Sequence, residues 1–295
     1  MLVRLAPIIF VLLWSTGFVG ARFGLPYADP LTFSALRFAI VAVIVAAIAV
    51  GRGNAFPRDP WSYIHVAICG ILLHSCFVGG VFYAVDRGVS VSVAAVITGA
   101  QPLLTVFLAL PLLGERPTRF QGIGFLVGFV GLCMVVMPSY ESGTTDLAGL
   151  VGCVVGLLGI TVGTIYQKRF VPELDLFVGA TIQFCAAAVV CWLWALSFEQ
   201  MQITWNLTVV LTMAWLCLAL SVGAISILMQ LIKRGAASHV SSLFYLVPPI
   251  TAIQGYLFFG QALSIAQCVG IAVAAGGVAM IVGRRATLSS DSSNA

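Results

Sequence analysis

The segments PLLTVFLALPLLG (102–114) and PPITAIQGYLFFG (248–260) indicate the architecture of this chain, because each resembles the other. Both begin with proline and end with glycine, and Thr105 of the first stands opposite Thr251 of the second. The offset of 146 positions, from 102 to 248, also pairs identical residues on either side of these segments: Asp29 with Asp175, Phe38 with Phe184, Gln121 with Gln267, and Gly131 with Gly277. The chain is therefore one sequence unit written twice.

The composition places this duplicated unit in a membrane. Of the 295 residues, 61% are hydrophobic and only 8% are charged, whereas soluble domains carry about 25% charged residues. The eight cysteines fall in apolar stretches without a CxxC or Cys/His cluster, which predicts neither disulfides nor a metal site. No cofactor and no nucleic-acid partner are expected; the expected partners are the lipid bilayer and a small-molecule substrate.

About ten apolar stretches are long enough to cross a bilayer, which requires about 20 helical residues. They fall at residues 5–21, 31–50, 63–84, 91–112, 121–138, 148–167, 176–195, 208–231, 239–259 and 265–283. Five spans per copy is an odd number, so the second copy enters the membrane from the opposite side. We therefore predict an all-α membrane protein of ten transmembrane helices in two inverted five-helix repeats, the architecture of alternating-access transporters.

The predicted repeats cover residues 1–140 and 147–285, and residues 286–295 form a Ser-rich tail that we expect to be disordered and cytoplasmic. Four GxxxG pairs predict close helix packing within this scaffold. They are Gly20/Gly24, Gly124/Gly128, Gly152/Gly156 and Gly159/Gly163.

The basic residues predict that both termini lie in the cytoplasm. With the N-terminus inside, only Arg22 and Arg87 fall in external segments. Eleven basic residues fall in cytoplasmic segments: Arg4, Arg52, Arg58, Arg116, Arg119, Lys168, Arg169, Lys233, Arg234, Arg284 and Arg285. This bias follows the positive-inside rule.

Several short motifs, in order and in both copies, resemble the EamA family of the drug/metabolite transporter superfamily. They are Leu13-Trp14-Ser15-Thr16-Gly17-Phe18, the run Asp29–Phe38, Tyr83–Gly88, Gln101-Pro102, Leu113–Arg116, Lys233–Ala236, Val247–Pro249 and Phe259–Gln261. One departure is Gln261, which replaces the acidic residue that follows the glycine in both repeats of the family. The resemblance implies an exporter in the cytoplasmic (inner) membrane, with a central cavity between the repeats.

Polar residues within the spans are candidates for the transport site, because they are costly in lipid. In helix 4, Thr98 and Gln101 share a face, and Pro102 interrupts the backbone bonding. In helix 9, Tyr245 and Thr251 flank the matching Pro248. Interrupted helices related by symmetry point to a midplane substrate site. The alternative is that the prolines are simply tolerated in membrane helices.

Helices 1 and 6 supply a second symmetric pair of polar faces. Ser15 and Phe18 in helix 1 correspond to Thr161 and Thr164 in helix 6, and Trp14 adds a ring surface. We predict that all five contact substrate. Arg22 and Lys168 lie at the ends of these two faces. In one interpretation they guide an anionic group of the substrate, and in the other their side chains reach toward the membrane surface.

Helices 2 and 3 carry His74, Phe77, Arg37 and Asp86. His74 and Phe77 are candidate substrate contacts, and histidine can also carry a proton near neutral pH. Arg37, the one charge deep within a span, is expected to pair with Asp86 as an external gate or staple. A neutral His74 bonded to a neighbouring helix is the alternative.

These features predict the export of small metabolites, most simply amino acids or related amphipathic solutes, by alternating access. The mid-span regions contain no Asp or Glu, so proton coupling would depend on His74 or a carboxylate at a helix end; otherwise the protein is a facilitator or exchanger. A flippase for lipid-linked substrates or a drug exporter is the alternative of the same fold. An intramembrane enzyme is disfavoured, because His65, His74 and His239 are scattered. A monomer or a weak homodimer is expected.

Overall fold

The computed structural model describes residues 2–105, 108, 119–141, 146–171, 173–224, 226–227 and 244–292. Within these residues the chain is helical, with one isolated antiparallel bridge between Ala28 and Ile203 and no strand. The helices, labelled in chain order, are α1 (Leu2–Gly24), α2 (Pro30–Gly51), α3 (Pro60–Asp86), α4 (Val91–Thr105, with a turn at Ala100), α5 (Arg119–Glu141), α6 (Leu147–Phe170), α7 (Leu176–Phe198), α8 (Leu207–Ala224), α9 (Val247–Phe259) and α10 (Ile265–Ser292).

Local sequence explains where several of these helices begin. The Asp59 carboxylate accepts hydrogen bonds from the backbone N–H groups of Trp61 and Ser62, and Pro60 occupies the first turn. Ser90, Asp175 and Asn206 cap α4, α7 and α8 in the same way. These side chains satisfy backbone donors that have no partner within the helix.

Six helical segments are long and apolar enough to cross a membrane by length and composition. They are Ala6–Tyr27, Pro30–Gly51, Pro60–Asp86, Leu147–Phe170, Leu176–Phe198 and Leu207–Ala224. Shorter apolar helices cover Val91–Thr105, Gly122–Met137 and Ile265–Met280. The protein is therefore an integral membrane protein. α10 continues to Ser292; the disorder of the tail stays a prediction.

The helices form two compact units, and each unit takes helices from both halves of the sequence. The Arg37 unit comprises Gly20–Arg87 and Leu147–Gly223, and in it α2 packs on α7 and α3 packs on α6. The Trp14 unit comprises Met1–Val19, Gly88–Asp146 and Ala224–Ala295, and in it α4 packs on α9 and α5 on α10. The compact units thus cut across the predicted sequence repeats. α2, α4 and α5 pack on their counterparts α7, α9 and α10 from the other half, and α3 packs on α6, which is not its counterpart.

Glycines allow these helix pairs to approach closely. In the Arg37 unit a Cβ on Gly152 would lie 2.8 Å from the carbonyl oxygen of Gly80, and one on Gly159 would lie 2.7 Å from that of Leu72. In the Trp14 unit a Cβ on Gly277 would lie 2.6 Å from the Gly124 carbonyl oxygen. Backbones this close leave no room for a side chain. The prediction of close packing at these GxxxG pairs is confirmed.

The Arg37 unit contains π-helical segments at matching positions of the two halves. Residues Ile71–Gly79 of α3 and Trp215–Ala224 of α8 are π-helical. The 146-residue offset carries 71–79 onto 217–225, so the two irregularities correspond. Such segments are rare and often occur at functional sites. The two π-helical segments therefore make the Arg37 unit a candidate location for a functional site.

Candidate functional site

The side chain of Arg37 lies buried among α2, α3 and α8. It is 4% exposed, and its guanidinium Nη2 donates a 3.1 Å hydrogen bond to Ser221 Oγ in the π-helical part of α8. The guanidinium carbon lies 5.7 Å from the ring centre of Phe38 and 5.9 Å from that of Phe82. The buried Arg37 Nε has no hydrogen-bond partner. A charged group is therefore held among aromatic rings with one donor unused.

His74 lies beside the same aromatic residues. Its ring stacks on Phe184 of α7 with centroids 4.1 Å apart, and its centroid lies 5.7 Å from that of Phe38. The buried His74 Nε2 also has no hydrogen-bond partner. We call Arg37, Phe38, His74, Phe184 and Ser221 the Arg37 cluster.

The expected pairing of Arg37 with Asp86 is wrong. Asp86 lies exposed at the end of α3, and Arg37 bonds Ser221 instead. Arg37 points from the buried face of α2 toward α8, a helix that lies 184 residues away in sequence, at Ser221. A neighbour on another helix is set by how the helices are rotated about their axes, which sequence spacing did not reveal.

His74 and Phe77, both candidate substrate contacts, lie three positions apart, which would place them on one face of an ordinary α-helix. These residues lie in the π-helical segment, whose hydrogen bonds close over five residues rather than four. Positions three residues apart are therefore displaced around the axis. His74 contacts Phe38 and Phe184, whereas Phe77 is half-buried and has no ring contact with His74 among the described residues.

The second cluster, in the Trp14 unit, joins α1 to the start of α9. The Trp14 ring lies 5.3 Å from that of Phe244 and 5.5 Å from that of Phe10, measured between centroids. Ser15, fully buried, donates a long 3.5 Å hydrogen bond from Oγ to the carbonyl of Val247. We call these five residues the Trp14 cluster. The structure therefore brings predicted residues of helix 1 to the break in helix 9.

The remaining predicted residues of α9 lie close to this cluster along the chain. Thr251 is fully buried, and its Oγ1 has no hydrogen-bond partner. One turn onward, Gln254 Nε2 donates a 3.3 Å bond to the Leu12 carbonyl. Pro248 packs against α4, where a Cβ on Gly99 would lie 3.0 Å from the proline Cγ. α9 thus presents polar atoms to α1 and an apolar contact to α4.

Most predicted hydroxyl ligands bond their own helices. Thr98, Thr161 and Thr164 each donate from Oγ1 to the carbonyl four residues earlier, at 2.8, 2.6 and 2.6 Å. Thr161 is fully buried, but Thr164 is exposed, so these two do not share a buried face. Threonine commonly bonds in this way within helices. These three hydroxyls are therefore satisfied within their own helices.

The other predicted site residues lie in α1, in α4 and in the turn before α9. Phe18 is buried in α1, and Gln101 and Pro102 are half-buried in α4. Tyr245 lies in a short 3₁₀ turn, Phe244–Leu246, and its side chain is outside the described part of the structure. Among the described residues, no three His, Cys, Asp or Glu side chains are placed to hold a metal ion.

Sequence reasoning missed two polar contacts of the Arg37 unit. Glu199 accepts hydrogen bonds from the backbone N–H groups of Leu31 and Thr32, at 2.7 and 2.8 Å, at the start of α2. His65 Nδ1 lies 2.7 Å from the hydroxyl of Tyr166, joining α3 to α6. The only available signal was that Glu199 follows a span directly, and nothing in the sequence indicated its partner.

The family model for the EamA-like transporter family matches residues 3–137 and 147–283. The two matches cover most of the chain and fall in its two halves. The chain therefore belongs to the EamA-like transporter family, within the drug/metabolite transporter superfamily.

Curated relatives and a solved structure match most of the chain. The chain is 24% identical over 283 residues to a chloroplastic WAT1-related protein of Arabidopsis thaliana, covering 92% of this chain and 66% of that protein. It is 22% identical over 272 residues to a Salmonella typhimurium protein named "Probable amino-acid metabolite efflux pump", covering 89% of each. A crystal structure matches 96% of this chain and 98% of its own, with a TM-score of 0.65 at 22% identity, which indicates the shared fold.

Proposed function

We propose that this chain exports small amphipathic metabolites, amino acids foremost, from the cytoplasm by alternating access through a cavity between two inverted repeats. In this proposal ten helices span the inner membrane, both termini are cytoplasmic, and the protein works as a monomer or weak homodimer. It is a transporter, not an enzyme, and needs no cofactor.

The observation that carries this proposal is the repetition of one structural irregularity in both halves of an EamA-family chain. The π-helical segments Ile71–Gly79 and Trp215–Ala224 correspond under the same offset that relates the two sequences. Two equivalent irregular helices in opposite repeats supply a pair of elements that can exchange roles between inward-open and outward-open states. A single-copy binding protein would not require this duplication.

Two observations support an amphipathic solute as the substrate. The Arg37 cluster combines polar atoms without partners, at Arg37 Nε and His74 Nε2, with the aromatic rings of Phe38 and Phe184. A relative of similar length is named as an amino-acid metabolite efflux pump. A flippase for lipid-linked substrates or a drug exporter would use the same scaffold and is the second candidate.

The test is release of a mixed panel of amino acids and small metabolites from proteoliposomes, read by mass spectrometry with and without a pH gradient. Selective release of amino acids without a gradient is expected for a facilitative exporter. Release only with a gradient would indicate proton coupling, and loss of that dependence in the His74→Gln variant would assign the coupling to His74 and not to a carboxylate at a helix end. Release no greater than from empty liposomes, with folded protein verified, would reject the amino-acid assignment in favour of lipid-linked substrates.

The proposed topology has its own test. A reporter that folds only in the cytoplasm, fused after the last residue, is expected to be active, and one inserted at 54 between α2 and α3 as well. An inactive C-terminal fusion beside an active fusion at 54 would contradict an even number of spans.

A further inference from the structure

We propose that the Arg37 guanidinium is the binding site for the carboxylate of the transported solute, with Phe38 and Phe184 receiving its apolar part. This inference rests on the proposed function and makes the substrate class more specific. It assigns to Arg37 a role in ligand recognition, in place of the gate or staple that the sequence suggested.

No described residue of the protein balances the charge of Arg37. Its described interactions are the bond to Ser221, the ring contacts with Phe38 and Phe82, and a weak contact of the Cys217 thiol with its backbone carbonyl. No carboxylate is among them. A cation buried within a membrane protein normally pairs with an anion, because burial removes the water that stabilises it.

The carboxylates of this unit are engaged or lie elsewhere. Asp59 and Asp175 cap helices, Glu199 caps α2, and Asp29 accepts a hydrogen bond from the Gln202 backbone N–H at 2.9 Å. The other two, Asp86 and Glu173, are exposed. Every acidic residue of Gly20–Arg87 and Leu147–Gly223 is thereby accounted for within the described structure. Among the described residues no carboxylate therefore balances Arg37, and the carboxylate of a bound solute could do so.

The unused atoms fit a carboxylate bound beside an apolar group. Arg37 Nε is buried without a partner, although a guanidinium can donate through two adjacent nitrogens to the two oxygens of a carboxylate. His74 Nε2 is a second buried atom without a partner, and its ring shares the Phe38 neighbour with Arg37. A solute carrying both a carboxylate and an apolar side chain matches these neighbours.

The second half of the chain carries no such charge. The position equivalent to Arg37 is Gln183, and the position equivalent to His74 is Leu220. Gln183 Nε2 has a weak contact with Cys69 Sγ, at 3.7 Å, and the Gln183 side chain also interacts with His74. The charged site therefore exists once, as one substrate requires. Because glutamine already occupies the equivalent position of the second half, we expect the Arg37→Gln variant to fold.

The experiment compares two probes that differ in charge, L-phenylalanine and L-phenylalaninamide, which lacks the carboxylate. Purified protein in detergent is titrated with each probe, and its thermal stability gives an apparent affinity. Four forms are used: the natural chain, Arg37→Gln, Arg37→Lys and the control Arg52→Gln. Arg52 follows α2 directly, is exposed and lies 4.4 Å from the Phe177 ring centre, so its loss removes a charge without touching the cluster.

The natural chain and Arg52→Gln are expected to prefer phenylalanine to its amide. Arg37→Gln is expected to bind phenylalanine about tenfold more weakly, the scale of a charged hydrogen bond, while its affinity for the amide stays unchanged. Arg37→Lys is expected to lie between them, because it retains the charge and loses the planar fork. Release of phenylalanine from proteoliposomes is expected to fall in the same order.

Two outcomes would overturn the inference. A preference for phenylalanine that survives Arg37→Gln would show that another group holds the carboxylate. An equal loss of both probes in Arg37→Gln would make Arg37 a structural residue that holds α2 to α8. If carboxylate-dependent binding is present but no release occurs, the carboxylate site stands and the proposed transport fails, so the two failures are distinguishable.

Discussion

The two π-helical segments of the Arg37 unit have the same backbone form and different side chains. In α3 the segment contains His74, which packs on Phe184 with a buried nitrogen left free. In α8 the equivalent position is Leu220, and the segment instead offers Ser221 to Arg37. Both halves thus share the π-helical backbone, whereas their polar side chains differ: His74 lies in the first segment and Ser221 contacts Arg37 from the second.

This difference separates two kinds of constraint. In the proposed alternating access the two halves exchange roles, and such a motion would need similar backbones. The side chains that bind one solute need not be symmetric, because a solute such as an amino acid has no two-fold axis. Variants that make the two segments more alike therefore test which features are required in each half.

The largest effect is expected for Gly70→Leu, which gives α3 the residue that α8 has at the equivalent position, Leu216. A Cβ on Gly70 would collide with the backbone carbonyl of Gln183, so α3 and α7 must separate. Overpacking typically costs about 1–3 kcal/mol, and more when backbone atoms must move. The expected result is a loss of monodisperse protein on size-exclusion chromatography.

The matched control for that variant is Gly179→Leu, on α7 of the same unit, where a Cβ would meet nothing within 4 Å. It is expected to purify like the natural chain. Equal losses of monodisperse protein for both variants would mean that leucine is poorly tolerated in these helices generally. The close contact between Gly70 and Gln183 would then not explain the effect of Gly70→Leu.

The next largest effect is expected for Phe184→Ala. Phe184 is 2% exposed and supplies the ring on which His74 stacks. Truncation of a buried phenylalanine costs about 3–5 kcal/mol, largely from the cavity that remains. Reversible unfolding in mixed micelles measures this cost, with the exposed Trp192→Ala on the same helix as control. A similar cost for both would contradict tight packing around His74.

A smaller effect is expected for His74→Leu, which makes the first π-helical segment resemble the second. The variant removes a buried ring nitrogen, Nε2, that has no hydrogen-bond partner among the described residues. The expected change is a threefold to tenfold fall in amino-acid release, corresponding to about 0.5–1.5 kcal/mol. Folding should be retained, because Leu220 occupies the equivalent place. Unchanged release in proteoliposomes would remove His74 from the site.

The smallest effect is expected for Ser221→Ala, which removes the hydroxyl that accepts from Arg37 Nη2. The guanidinium keeps its charge and loses orientation, so carboxylate affinity should fall about threefold or less. Ser75→Ala is the equivalent change in the other half, where Ser75 Oγ donates to the Ala187 carbonyl at 3.2 Å. It should leave phenylalanine affinity unchanged in the same titration. A larger loss of phenylalanine affinity for Ser75→Ala than for Ser221→Ala would show that the π-helical segment of α3, and not that of α8, orients the bound carboxylate.

Much of the fold could be predicted from the sequence. The described helices overlap every predicted span, because long apolar runs and caps such as Asp59 and Asp175 are local signals. The composition of the compact units could not be predicted, since it depends on which helices pair across the two halves. Trp14 and Ser15, predicted as substrate contacts, meet the start of α9, a contact between helices that the sequence did not indicate.

By itself the sequence determined that this chain is a duplicated membrane protein, because hydropathy and a 146-residue offset are properties of a one-dimensional string. Only the tertiary structure decided that Arg37 meets Ser221 and not Asp86, and that His74 lies on Phe184. These neighbours are more than 100 positions apart in the chain. Which of them meet is set by helix rotation, by π-helical turns that shift the face of α3, and by glycine contacts that fix the spacing between helices.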